Sequence, residues 1–253
     1  MDTRFWGPSG WKFLHSITFA YIPRTDKKAV REMFETLPFV LPCKFCRKSL
    51  TEYMIEYPIQ LESREALSRW LWVIHKQVNN KLRSQSLAVD PNPPFERVAK
   101  LYTEMPSCTR TEFPGWDFLF SIAEIHPMSK LALSSTPIPG APITISSEEK
   151  NQWNTLTSEE RLLYYKRFWN SIGDVLPYKE WKESWHRNAG KPSLDTRAST
   201  IKWLWGLRCG MEKDLELLNR CQYSSLCKTL HAHRSGCSKS TRAKTCRRRK
   251  KTN

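Results

Sequence analysis

Two cysteines three residues apart, in Leu41-Pro42-Cys43-Lys44-Phe45-Cys46-Arg47-Lys48, are the residues of this chain best placed to do chemistry. They stand just after a proline, at the start of an amphipathic run. If that run is a helix, its free N–H groups and the positive end of its dipole point at both sulfurs. Arg47 and Lys48 add cations beside them. All of this favours thiolate over thiol, and thiols in such surroundings ionise at roughly pH 3.5–7.5 in place of about 8.5. Two sulfurs on one helical turn can close a disulfide and reopen it. The competing reading is half a zinc site, which needs about four ligands. No second CxxC and no HxxxH follows nearby, so the spacing favours redox chemistry over metal binding.

The elements that must position this pair read as helices. Pro8 suits a first helical turn, and Trp11, Leu14, Ile17 and Tyr21 follow at helical spacing until Pro23. Thr25 can cap a second helix with Val30, Met33, Phe34 and Leu37 on one face. The third starts at the CxxC and buries Leu50, Tyr53 and Met54. Ser63 can cap the fourth, whose Leu67, Leu71, Ile74, Val78 and Leu82 form an apolar stripe. Phe95, Val98 and Leu101 make a short fifth. No strand pattern competes, so residues 1–104 are expected to be a four-helix bundle with one short extra helix.

The rest of the chain echoes the first part. Gly115-Trp116-Asp117-Phe118-Leu119-Phe120-Ser121-Ile122 matches Gly10 to Ile17 at six of eight positions. Val175 to Trp181 lines up with Val40 to Cys46, Trp203-Leu204-Trp205 with Trp70-Leu71-Trp72, and Leu215 with Leu82. Three ordered matches point to an internal duplication over 105–222, with an insertion near 127–157 that includes the Pro/Ser-rich loop around Ser134–Ser147. The fold class expected is therefore all-α: a bundle followed by a degenerate copy of itself, the two packed by faces containing Trp11/Phe13 and Trp116/Phe118. In the second copy Cys43 becomes Tyr178, Cys46 becomes Trp181, His15 becomes Phe120, His75 becomes Arg208 and Asn79 becomes Glu212. The hydrophobic scaffold persists while the polar residues are gone.

At 253 residues the chain has room for these two units. No signal-peptide stretch opens it, and no run of about 18 apolar residues could span a membrane, so export through a signal peptide is not expected. The net charge of +16 is concentrated at the end. From Lys228 onward there are ten Lys or Arg and no acid. Residues 223–253 therefore read as a flexible basic tail. Such a tail suits loose contact with nucleic acid or another anionic surface.

In the first copy Trp11 and His15 are four apart on one helix, and His75 and Asn79 four apart on another, with Lys81 just beyond. Each alone is ordinary core or interface chemistry. Together with the CxxC they place polar donors and aromatic rings inside one bundle, a lining suited to a flat, phosphate-bearing cofactor. No GxGxxG or GxxxxGK[ST] is present to supply a nucleotide site by another route.

Trp11-Lys12-Phe13-Leu14-His15, Leu41 to Cys46, and Trp70 to Leu82 resemble, in order and spacing, the Erv/ALR flavin-linked sulfhydryl oxidases over roughly residues 5–90. The resemblance implies a four-helix bundle holding FAD, with the CxxC disulfide against the isoalloxazine ring. It implies Cys46 as the thiol facing the flavin and Cys43 as the one exchanging with incoming dithiols. Trp11, His15, Tyr21, His75, Asn79 and Lys81 would line the FAD site. The activity implied is oxidation of protein dithiols, with dioxygen as electron acceptor and hydrogen peroxide as product. Lys76 replaces the first asparagine of the family's HNxVN pattern. The cysteines of a structural disulfide common in cellular members would fall at Trp72 and Val89, and both are missing. Virus-encoded members often have this stripped form, which points to a virion or host cytoplasm; a cellular source would suggest the mitochondrial intermembrane space. The second copy resembles the degenerate domain of quiescin sulfhydryl oxidases, packed as a pseudo-dimer, with a further homodimer left open.

The trailing cysteines keep three readings: Cys221, Cys227, Cys237 and Cys246 as candidates for a mobile electron-ferrying pair, Cys227, His231, His233 and Cys237 as a metal knuckle, or structural or incidental thiols. Cys108 and Cys209 are expected to be unpaired and buried. A second function class stands beside the oxidase: a scaffold protein that binds nucleic acid or an anionic surface through its tail.

Overall fold

The computed structural model describes residues 1–87, 89–104, 112–133, 135–143, 146–217 and 220–234; among them every regular element is a helix. The first half holds α1 (Thr3–Ala20), α2 (Pro23–Val40), α3 (Lys44–Glu56), α4 (Arg64–Ser84) and α5 (Phe95–Glu104). The second holds α6 (Trp116–Glu124), α7 (Lys130–Leu133), α8 (Ser147–Trp153), α9 (Ser158–Val175), α10 (Lys179–Ala189), α11 (Arg197–Asp214) and α12 (Tyr223–Arg234). One continuous apolar core runs through both halves, from Phe13, Ile17 and Phe34 to Trp169, Trp181 and Leu204. No helix among the described residues is long and apolar enough to cross a membrane.

Local chemistry sets the helix ends, and two of them differ from the pattern expected. Helix α1 starts at Thr3, because Asp2 caps it by accepting the Arg4 N–H at 3.0 Å. Pro8 therefore lies inside the helix instead of in its first turn. Helix α2 is opened by Pro23 itself at its first position, which needs no N–H there. No side chain caps its first turn; Asp26 reaches back instead, its Oδ2 accepting the Ile22 N–H at 3.0 Å. Thr25 is not the cap; its hydroxyl is placed to donate to Asp26 Oδ1 at 2.9 Å or to Ile22 O at 3.4 Å. Ser63 caps α4 as its type suggests, accepting the Ala66 N–H at 3.0 Å.

The two halves repeat several of these geometries. Cys43 precedes α3 in extended conformation, and its carbonyl accepts the N–H groups of Cys46 and Arg47, each at 3.0 Å. Tyr178 does the same before α10, accepting from Trp181 and Lys182 at 3.1 and 3.0 Å. The Trp70 indole donates to Tyr57 O at the end of α3, and the Trp203 indole to Ala189 O at the end of α10. Helices α4 and α11 both end on a non-glycine residue at positive φ, Ser86 and Glu216. Counted from the N-caps Ser63 and Thr196, Leu82 and Leu215 stand at the same position, but α11 is shorter and Leu215 is already its C-cap, as Gln85 is in α4.

The contacts between the halves are led by two helix pairs: α1 packs on α6 and, most extensively, α2 packs on α9. Phe13 and Phe118 meet at the first contact, with ring centroids 6.3 Å apart. A Cβ on Gly10 would lie 3.0 Å from the Phe118 ring, so that crossing is close. Trp11 and Trp116 turn away from it, each into its own half. The larger α2–α9 contact was not anticipated. There Phe39 stacks on Tyr164 at 3.7 Å, and Arg167 holds Glu32 with two hydrogen bonds of 2.6 and 3.0 Å.

Residues 223–234 are not part of a loose tail. They form α12, which buries Leu226 and Leu230 against the core, and its His233 stacks on Phe5 at 4.3 Å. Arg234 pairs with the buried Glu124 of α6 at 2.5 Å. The remaining tail, with Cys237 and Cys246, lies outside the described residues, as does Cys108. Cys209 is exposed on α11 and not buried, because Leu204, Leu207, Arg208 and Met211 take the inward face of that helix and leave Cys209 on the outward one. Cys227, His231 and His233 form no metal-binding group with other described residues.

Candidate functional site

The CxxC sits where the local code places it. Cys43 is the N-cap of α3 and Cys46 lies in its first turn, within reach of the helix's positive end. Cys43 is buried at 6% exposure, whereas Cys46 is half-buried and opens into a cavity of about 730 Å³. That volume lies inside the range of about 300–1,000 Å³ usual for sites that enclose a large organic ligand. The cavity runs between α1, α3 and α4, with an apolar wall of Leu14, Phe34, Leu50, Trp70 and Ile74.

Its polar rim is formed by the residues expected from sequence, with two exceptions. The Trp11 ring stacks on His75 at 3.8 Å, 8° from parallel, and both line the cavity. Asn79 lines it and donates to Asn92 Oδ1 at 2.9 Å. Lys81 lines it and donates to Ser49 Oγ across from α4 to α3. His15 lies behind this wall. It is almost fully buried, ringed by Phe19 and Tyr102, and shares a 3.1 Å hydrogen bond between its Nε2 and His75 Nδ1. Tyr21 is not brought to the cavity. Its buried hydroxyl donates to Leu61 O at 3.0 Å, at the far end of α1.

Burial holds both histidines neutral. The His15 pKa is lowered to about 3, by desolvation first and then by the neighbouring His75; desolvation lowers His75 to about 4. His15 Nδ1 is buried without a partner. The tautomer that leaves this nitrogen unprotonated has His15 Nε2–H donating to His75 Nδ1, an assignment from the hydrogen-bond pattern. His75 then keeps its Nε2–H as a donor, in a ring fixed on one face by Trp11. The site thus combines a dithiol, a flat aromatic step, a neutral imidazole donor, an amide and a lysine cation.

Sequence reasoning missed several cavity residues. Thr3, Arg4, Trp6 and Gly7 lie before the expected helix start at Pro8, so no pattern included them. Ser49 and Gln85 are small or late members of helices judged by their apolar stripes. Gln85 Oε1 and Trp6 Nε1 are buried at this cavity without a hydrogen-bond partner. Phe118, from the second half, closes part of the wall. A polar atom left unpaired in a large apolar cavity is costly unless a ligand completes it. On these grounds the residues present fit a large cofactor with ring and polar parts.

The same region of the second half is closed. Trp116, Arg208 and Glu212 border a space of only about 80 Å³. Arg208 and Glu212 form a buried ion pair at 2.6 Å, and the Arg208 guanidinium lies 5.6 Å from the Trp116 ring centroid.

Residues 8–99 match the model of the Erv1 / Alr family. The chain therefore carries an Erv1/Alr family domain in its first half. It is 36% identical over 85 residues to the mitochondrial FAD-linked sulfhydryl oxidase ERV1 of Saccharomyces cerevisiae, covering 32% of this chain and 45% of the relative. It is 33% identical over 109 residues to the FAD-linked sulfhydryl oxidase ERV1 of Arabidopsis thaliana, covering 40% and 54%. A probable FAD-linked sulfhydryl oxidase of Acanthamoeba polyphaga mimivirus is 35% identical over 85 residues, covering 31% and 59%. The chain thus spans about half the length of the curated relatives it matches. No solved structure matches it.

Proposed function

We propose that this chain, through its Erv1/Alr domain, is an FAD-linked thiol oxidase that makes disulfides in protein dithiols. The observation that carries the reading is Cys46 opening into the cavity that the Trp11–His75 stack, Asn79 and Lys81 also line. Bound there, a flavin supplies acceptance of two electrons from a dithiol and their delivery to dioxygen as hydrogen peroxide. Trp11 and His75 would hold its ring system by stacking and donation. Asn79, Lys81 and Gln85 would take its polar and charged parts. His15 would act through His75, and Tyr21 would have no part.

The protein's own steps are thiol–disulfide exchange. An incoming thiolate attacks Sγ of Cys43, the Cys43–Cys46 bond breaks, and Cys46 leaves as a thiolate. A second substrate thiolate then attacks the mixed disulfide, so that the substrate leaves oxidised and Cys43 leaves as a thiolate. The division of roles follows the cavity: Cys46 lines it and Cys43 does not. Both thiolates form at the positive end of α3, where the helix dipole and first-turn N–H groups stabilise them. The mitochondrial yeast and mimivirus relatives fit the compartments expected from the sequence.

We read the second half as a copy of the same bundle that has lost this chemistry. Its N-capping of α10 by Tyr178, the Trp203 anchor and the turn at Glu216 support that reading. Cys46→Ser decides the function: it should leave yellow protein with no thiol-dependent oxygen uptake. Retained uptake in that variant would sink the assignment.

A further inference from the structure

Arg47, beside the CxxC, is buried with no carboxylate partner among the described residues, and a second buried arginine, Arg161, lies near it. Arg47, 2% exposed on α3, donates from Nη1 to Leu41 O at 2.9 Å and from Nη2 to Asn154 Oδ1 at 2.5 Å. Its Nε is buried without a partner. Arg161, 6% exposed on α9, lies within electrostatic range of Arg47, and its Nε is likewise unpartnered. Among the described residues neither forms an ion pair with an acid. A buried guanidinium with only neutral partners is costly, and Arg47 also sits at the positive end of a helix, where a cation is disfavoured. A counter-anion is needed, and the groups beside Arg47 able to become anionic are the thiols of Cys43 and Cys46.

The grip on Arg47 comes from the other half of the chain. Asn154 ends α8, inside the insertion, and also donates from Nδ2 to Ser135 Oγ and Thr136 O. The insertion is fastened along α3 at further points: Asn151 Nδ2 donates to Pro38 O and Thr51 Oγ1, and Lys44 Nζ to Thr136 O. Lys48 lies over the Trp153 ring at 4.1 Å. We propose that Arg47, held in place by Asn154, is the positioning cation that stabilises the Cys43 and Cys46 thiolates, so that the insertion of the second half sets the reactivity of the first half's redox pair. The inference rests on the oxidase reading only for its purpose, not for its geometry.

The sign agrees with the electrostatics. Burial lowers the Arg47 pKa to about 10, and the two cysteines oppose that lowering, as reciprocal partners must. The other charged groups on the elements packed around α3 are committed elsewhere. The Met1 amine donates to Pro42 O and Lys81 to Ser49 Oγ; Lys150 pairs with Glu160, and Lys48 with Glu52.

The test is the pH profile of iodoacetamide alkylation at Cys43 in the reduced full-length protein, read by mass mapping. Asn154 has φ 56°, a conformation glycine adopts freely, so Asn154→Gly removes the amide without straining the backbone. It should raise the alkylation midpoint by about one pH unit, or roughly tenfold slower reaction below it. Asn154→Asp, which gives Arg47 a carboxylate partner, should raise it in the same direction, and Arg47→Met should raise it further. Should Arg47→Met not fold, the Asn154 variants decide. An unmoved midpoint in folded Asn154→Gly and Asn154→Asp would overturn the proposal. Alkylation needs neither flavin nor dioxygen, so a colourless protein with the expected shifts would defeat the oxidase reading alone.

Discussion

The neutral histidine pair behind the cavity makes stability depend on pH in a calculable way. His15 falls from an ordinary 6.5 to about 3 in the folded protein, and His75 to about 4. The folded state therefore binds fewer protons than the unfolded chain wherever the pH lies between those values. The pair's contribution is fully present above the unfolded pKa. It erodes as pH falls through 6.5 and is gone once the pH is below the folded pKa values. At pH 5 the unfolded histidine is almost wholly protonated and the folded one is not, a gap of about 1.5 units, or about 2 kcal/mol for His15. His75, which faces the cavity, adds a comparable or smaller amount. Denaturant unfolding of the full chain at pH 7.5 and pH 5.0 measures this. His15→Phe, the residue found at the matching place Phe120, removes one titrating group and should reduce the pH-dependent loss by about 2 kcal/mol. Equal losses in the native protein and in a folded His15→Phe variant would refute the assignment of both histidines as buried and neutral.

Two further outcomes follow from packing. A Cβ on Gly115 would meet the Phe13 and Phe113 rings at 2.8 and 2.9 Å. Gly115→Ala should thus destabilise the α1–α6 crossing by about 1–3 kcal/mol, seen as a lower midpoint in thermal unfolding. Flavin content should be one per chain, since about 80 Å³ beside Trp116 and Arg208 cannot take what about 730 Å³ beside Trp11 and His75 can. Absorbance of the protein-bound flavin against protein concentration gives the ratio; two per chain would contradict the closed second site.

What was legible in the sequence is what local physics controls. The place of the CxxC at the start of α3, the Ser63 cap and the stripe of α4 all follow from spacing along single helices. Tyr21 shows where that reasoning stops. It shares a helix with Trp11 and His15, but Pro23 ends α1 just beyond it, and its hydroxyl finds Leu61 O before it can reach the cavity. The start of α1 was misjudged because a proline near a chain's beginning resembles a first-turn residue, while the cap that governs is Asp2. The broad α2–α9 contact could not be read from either helix alone. Phe39 and Tyr164 look like ordinary apolar positions until the chain brings them face to face.

The second half also bears on the first in a way that pattern matching obscures. At its matching positions Trp181 and Arg208 are buried and Tyr178 is half-buried against the core, so side chains fill the interior. Residues outside those matches are the ones that touch the proposed site. Asn154 and Asn151 lie in the insertion, and both reach α3 with side-chain hydrogen bonds. Phe118 lies in the repeated segment but points across the interface into the cavity wall. A bundle kept only for packing would need the core positions and nothing more. The insertion has instead placed a half-buried asparagine on a buried arginine next to the CxxC, where apolar residues would have been easier to accommodate. The energetic cost of that arrangement makes sense when the charge it positions has an anion to face, and the thiolates of the redox pair are the groups the fold puts within its reach.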